Sequence, residues 1–133
     1  MSLLGESKMA YYETINLVAN DTKPYIDIVL RDSNKPLPGI NLDPDDPSTW
    51  HPIDLTGVTV KVHFRAIGTK EILDTLDCVK HAPYKDGKCF MVWNPETLAV
   101  EAGTYEGEVF LEYEDGNTLT IFDRLKFKVR EDF

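Results

Sequence analysis

Apolar and polar residues alternate with period two along most of the chain, and the clearest run lies between Leu98 and Arg130. Leu98, Gly103 and Tyr105 lead into Gly107, Val109, Leu111 and Tyr113, which alternate with Glu106, Glu108, Glu112 and Glu114. Beyond Asp115-Gly116-Asn117, Leu119, Ile121, Leu125, Phe127 and Val129 alternate with Thr118, Thr120, Arg124, Lys126, Lys128 and Arg130. Such a period gives each strand one apolar and one wet face. The wet faces are complementary, glutamate-rich on one arm and basic on the other. A lone hairpin is barely stable in water, so this one must close over further strands.

Its turn poses a conflict of register. Asp115-Gly116 is a strong two-residue hairpin signal, but that loop would set Tyr113 against Thr118 and Leu111 against Thr120. A three-residue loop, Asp115 to Asn117, pairs Tyr113 with Leu119, Leu111 with Ile121, Glu108 with Arg124 and Glu106 with Lys126. A one-residue slip turns every side chain to the other face, so the three-residue loop is expected, with Asn117 near the left-handed region or a bulge in its place. Asp123 breaks the pattern, and a bulge near Asp123-Arg124 would relieve it.

Five further strands precede this hairpin. Glu13 to Asn20 alternates through Ile15, Leu17 and Ala19. After a turn at Asp21-Thr22-Lys23-Pro24, Tyr25 to Arg31 carries Ile26, Ile28 and Leu30 on one face, and Asp32 to Lys35 reads as the next turn. Gly57 to Ala66 sets Val58, Val60, Val62, Phe64 and Ala66 inward and Thr59, Lys61, His63 and Arg65 outward. Glu71 to Cys78 is a weaker strand through Ile72, Leu76 and Cys78, and Lys88 to Trp93 a fifth apolar run. Asn94-Pro95 opens one helical turn, with Asn94 as N-cap and Pro95 preset for the first position, and Gly103 ends it. Seven strands with almost no helix predict an all-β fold, an immunoglobulin-like antiparallel β-sandwich with one short helical turn before the sixth strand. Gly103-Thr104-Tyr105 matches a tyrosine corner. Gly107 stands where antibody domains carry cysteine and Phe64 where they carry tryptophan, so the expectation is the architecture and not a true antibody domain.

Length and composition then narrow the picture. The 133 residues, 42% of them hydrophobic, suit a single domain with a sizeable core. Residues 1–9 read as an expression leader and 10–133 as the domain, with a proline- and aspartate-rich insertion at 36–54. The net charge of −9 argues against binding a nucleic-acid backbone or an anionic membrane surface. No apolar run has transmembrane length, and no basic segment followed by an apolar core marks a secretory signal. Cys78 and Cys89 flank a short segment with Pro83 and Asp86-Gly87. Two reduced core thiols are the expectation and a short-loop disulfide the alternative.

A narrower likeness rests on turn residues. Asp21-Thr22-Lys23-Pro24 before an apolar strand, Pro36-Leu37, Ile53-Asp54-Leu55-Thr56-Gly57-Val58 before another, Gly87-Lys88, Gly103-Thr104-Tyr105 and Asp115-Gly116 together resemble the immunoglobulin-like N-terminal domain of phage upper baseplate proteins and related prophage tail proteins. The resemblance covers roughly Thr14 to Arg130 and departs from that family between Leu37 and Ile53, where the family has a short connection. It implies a virion structural module without catalysis or cofactor, assembled in the bacterial cytoplasm, that forms homo-oligomers or docks on other tail or baseplate subunits.

Candidate chemistry is sparse. Asn41, Asp43 and Asp45 have the 1-3-5 spacing of a calcium loop but lack the glycine and glutamate that complete it. His51, His63 and His81 show no ligand spacing. The row Glu106, Glu108, Glu112 and Glu114 reads as ion-pair partners of the basic arm and not as a glycosidase pair. The insertion is the best candidate for function. Ile40, Leu42, Asp43, Asp45, Asp46 and Trp50 form a proline-stiffened interaction loop, with Trp50 either an exposed anchor or folded back to cap the sandwich. A carbohydrate- or ligand-binding module of a bacterial surface protein is the alternative. It would display exposed aromatics, for which Tyr11, Tyr12, Tyr25, Trp50 and Tyr84 are the candidates.

Overall fold

The computed structural model describes residues 2–4, 11–121 and 124–133, with side chains from Thr14 onward. The strands are β1 (Ser2–Leu4), β2 (Tyr11–Val18), β3 (Ile26–Pro36), β4 (Trp50–Pro52), β5 (Thr59–Ala66), β6 (Asp74–Lys80), β7 (Lys88–Met91), β8 (Gly103–Glu112), β9 (Thr118–Thr120) and β10 (Arg124–Arg130). They follow the order β1-β3-β7-β6-β5-β8-β10-β2, with β4 added on β3 and β9 on β8. The sheet curls into two layers because β6 changes partners along its length. Asp74 to Asp77 pairs with β5, and Cys78 to Lys80 pairs with β7. This is the all-β sandwich expected from the alternation.

Two ladders are parallel, β2 on β10 and β1 on β3. Parallel neighbours need a long connection, and the whole domain lies between β2 and β10. Ser2–Leu4, within the stretch read as a leader, is the strand beside β3; the remainder of that stretch lies outside the described residues.

One hydrophobic cluster fills the interior, and its inward residues are those the period selects, among them Leu17, Ile28, Leu30, Val60, Val62, Phe64, Val109, Leu111, Leu125 and Phe127. Trp93 meets Phe64 and Phe127 edge-on, with ring centroids 6.0 and 5.5 Å apart. Its indole N–H donates to the Pro24 carbonyl at 2.6 Å, which ties it to the approach to β3. Phe64, which stands where antibody domains carry tryptophan, thus packs against a tryptophan reaching in from beyond β7. Gly107 leaves room for this packing: a Cβ there would lie 2.9 Å from Val62 Cγ1 and 3.0 Å from Phe127 Cε2. The tyrosine corner is present, with Tyr105 Oη donating to the Glu101 carbonyl at 2.6 Å.

Several local readings are corrected. Asp32 to Lys35 does not turn; β3 runs on to Pro36 because β4 pairs beside it, with an irregularity between Asp32 and Pro36. β6 starts at Asp74, where its pairing with β5 ends at Phe64, and Ile72 beyond it is left exposed. Asn94 does not cap through its side-chain oxygen. Its backbone N–H donates to Thr97 Oγ1, while its amide nitrogen reaches the Asp74 carboxylate at 3.2 Å.

The last hairpin has a three-residue loop, placed one residue earlier than expected. Tyr113 N donates to the Asn117 carbonyl, Gly116 N to the Tyr113 carbonyl, and Gly116 takes the left-handed conformation at φ 86°. This is a type I turn closed by a glycine bulge, in which Gly116 bears the positive φ more readily than Asn117. Leu111 consequently pairs with Leu119, whereas further along Glu106 pairs with Lys126 as expected. Between these registers the returning arm gains two residues, near where a bulge was expected; Asp123 itself lies outside the described residues.

Tyr105→Phe removes the corner hydrogen bond and is expected to cost about 1 kcal/mol. Burial first, and then the Glu101 charge, push the Tyr105 phenol above its ordinary pKa. The folded state thus keeps that proton to higher pH than the unfolded chain. The contribution is complete below the unfolded tyrosine pKa of about 10 and is lost as pH rises through the folded value. Urea titrations from neutral to alkaline pH should show a smaller alkaline loss of stability in Tyr105→Phe than in the wild type.

Candidate functional site

The insertion leaves β3 at Pro36 and returns along the same strand as β4, so both its ends are fixed by one ladder. Leu37 to Ile40 makes a tight turn, with Pro38 and Gly39 at its centre, Gly39 at φ 74°, and the Ile40 N–H donating to the Leu37 carbonyl at 3.1 Å. Proline followed by a left-handed glycine is the composition of a type II turn. Pro44 leads a second turn, closed by the Asp46 N–H on the Asp43 carbonyl at 3.1 Å. Asp46 then caps a single 3-10 turn, Pro47–Thr49, by accepting from Ser48 N at 3.0 Å and Ser48 Oγ at 2.7 Å.

Asp43 is the hub. Its carboxylate accepts from Asp45 N at 2.9 Å and its N–H donates to Thr49 Oγ1 at 3.0 Å. Its carbonyl accepts from the Trp50 indole at 2.8 Å as well as from Asp46 N. Trp50 is fully buried, its exposure 0%, and lies outside the main hydrophobic cluster. Of the two readings of Trp50, the structure takes the inward one, with the ring locking the loop instead of reaching out from it. Ile40 (48% exposed) and Leu42 (36%) remain on the surface, with Asp43, Asp45 and Asp46 exposed beside them.

This loop turns its aspartates to structural use. Asp43 and Asp46 hold backbone N–H groups, as short acidic side chains do in turns and caps. Among the described residues no group of three His, Cys, Asp or Glu side chains is placed to hold a metal ion. The three histidines stand apart. His51 Nδ1 contacts the Pro52 carbonyl at 2.7 Å, His63 lies on Phe110 and His81 on Phe90. Beside the loop's return strand a cleft of about 230 Å³ opens towards the last hairpin, lined by Asp32, Lys35, His51, Ile53, Tyr113 and Leu119. Burial first, then Asp32 and Asp115, raise the Tyr113 phenol there.

The glutamate row does meet basic neighbours, but its main partner was not foreseen. Glu106 is 2% exposed and accepts from Arg65 Nε at 2.7 Å, across the β5–β8 ladder and not across the hairpin. Arg124 reaches Glu106 at 3.6 Å and Glu108 at 3.9 Å. The outward residues Lys61, His63 and Arg65 of β5 carried the signal, but only the strand order could show that β5 lies beside β8. Glu112 has Thr59 and Thr118 as ladder partners, so the basic complement covers only the first half of the row.

Of the aromatic candidates, Tyr25 is half-exposed and stacks on Phe90 at 5.8 Å, and Tyr84 carries the Lys80 ammonium 4.8 Å from its ring centre. The side chains of Tyr11 and Tyr12 lie outside the described residues.

Fold and site together define a β-sandwich with a self-bonded, outward-facing loop. No family model and no curated protein matches the chain. Among solved structures it is similar to CopC from Methylosinus trichosporium OB3b, at 10% identity over 90% of this chain and 86% of that one, with a TM-score of 0.42. So loose a likeness says nothing of what this chain binds.

Glu106→Gln should lower unfolding stability by about 2 kcal/mol, because a buried charge-assisted partner of Arg65 is lost. Glu108→Gln, with a longer and wetter contact, should cost under about 1 kcal/mol. Paired denaturant titrations check both. The Ser48 side-chain and backbone hydrogen bonds hold the Asp46 carboxyl below its ordinary pKa. Its contribution is present above the unfolded value and lost as pH falls through the folded one. Amide exchange at Ser48, corrected for its intrinsic pH dependence, should therefore accelerate under strong acid in the wild type but not in Asp46→Asn.

Proposed function

We propose that this protein is a non-enzymatic building block of a phage or prophage tail or baseplate, assembled in the bacterial cytoplasm and acting through protein–protein contacts. The observation that carries this reading is the insertion. Its internal hydrogen bonds and the buried Trp50 fix its shape, while Ile40 and Leu42 stay outside. A loop already ordered loses little conformational freedom on docking, and large aliphatic groups beside carboxylates suit an apolar pocket with a basic rim. The turn residues shared with phage upper baseplate and prophage tail domains supply the biological setting. The partners are further copies of this chain or other tail subunits.

The carbohydrate-binding alternative draws on one observation, the stacked pair of Tyr25, just ahead of β3, and Phe90 on β7, with ring planes 13° apart. Flat aromatic surfaces can stack on sugar rings, and Phe90→Ala would then abolish binding on a glycan array.

Light scattering across a concentration series, on the wild type and on Ile40→Ser/Leu42→Ser, tests the assembly reading. The wild type should self-associate or capture co-expressed tail subunits, and the double variant should lose this at least tenfold while melting at the same temperature. A wild type that stays monomeric and binds no tail subunit, or a double variant that assembles equally well, overturns it.

A further inference from the structure

Cys78 and Cys89 stand on neighbouring antiparallel strands. Cys78 pairs with Met91, and Cys89 with Lys80. Cys89 and Met91, two apart on β7, share a face, and Cys78 opposite Met91 shares it too, so the two thiols are diagonal neighbours. Diagonal Cα atoms on a flat sheet lie about 7–8 Å apart, at the edge of what a disulfide spans. Both thiols turn to the inner side of the layer, Cys89 within the core cluster and Cys78 packed against it, and Cys89 lies near enough to raise the Cys78 thiol. In this structure the two sulfurs are not bonded to each other; Cys89 is buried and Cys78 half-buried.

We infer that Cys78 and Cys89 form an oxidisable dithiol, and that its disulfide pins β6 to β7 where the chain crosses from one layer to the other. Cys78 begins the segment of β6 that has left β5 for β7, so a covalent link there resists separation of the layers at their junction. The oxidant is a small-molecule disulfide such as oxidised glutathione. The Cys78 thiolate attacks one of its sulfurs and expels a thiolate, forming a mixed disulfide. The Cys89 thiolate then attacks the Cys78 sulfur and expels the second. The protons of both cysteines end on the two released thiols, and two electrons pass from the pair to the oxidant. Cys78 attacks first because it is the more accessible; Cys89 resolves. The contact with Cys89 and burial hold the Cys78 thiol above its usual pKa, so closure is slow at neutral pH and quickens as pH rises.

The test incubates the folded protein with oxidised glutathione at mildly alkaline pH and follows intact mass, alkylation of free thiols and peptide maps. The expected result is loss of two hydrogens, protection of both cysteines, a Cys78–Cys89 cross-linked peptide and a higher urea midpoint, all reversed by dithiothreitol. Cys78→Ser should show none of these. A glutathione adduct that never resolves, an intermolecular dimer, or two thiols that remain alkylatable would each overturn the inference; none of these readouts depends on a variant folding.

Discussion

Trp93 meets Phe64 and Phe127 edge-on where the two layers face one another, and the rest of the sandwich is arranged around that contact. Phe64 also stacks on Tyr105, so rings from β5 and β10 meet one indole reaching in from beyond β7, and the β8 ring joins them through Phe64. Interiors are close-packed, so this cluster sets what its neighbours can be. Position 107 has no room for a side chain. Tyr105 must turn its hydroxyl towards the surface, where it meets the Glu101 carbonyl. The indole N–H, buried with the ring, needs a partner and finds it at Pro24. Apolar packing and the few polar ties that permit it are one system.

On the other side of the same strands the constraint is charge. β8 runs between β5 and β10, so Glu106 faces a basic residue on each flank, Arg65 on β5 and Lys126 on β10. Glu106 sinks to the level of the backbone because Arg65 holds it, with Arg124 beside it. Glu106 and Glu108 line a surface cleft together with Arg65, Lys70 and Arg124, so the carboxylates there have guanidinium groups beside them.

The insertion follows a third logic, in which a long loop supports itself. Three prolines fix φ near its turns, aspartates bond the N–H groups those turns leave over, and Trp50 fastens the base. The acidic composition that suggested a cation site is thereby accounted for in part by turn and cap chemistry. Ile40 and Leu42 are left outside, and the proposal of a docking surface rests on them.

The alternation of Val60, Val62, Phe64 with Lys61, His63, Arg65, and of the two arms of the last hairpin apart from Leu119, which stays 43% exposed, settled which side chains point inward, because side-chain direction in a strand is local. The tyrosine corner was legible for the same reason: its donor and acceptor are four residues apart. What lies next to what was not legible. That Arg65 takes Glu106, that Trp93 packs edge-on against Phe64, that Asp32 to Lys35 stays extended under β4, and that Trp50 folds inward all depend on contacts between distant segments. Only the packed chain, with every buried polar group needing a partner and every ring needing space, could choose among them.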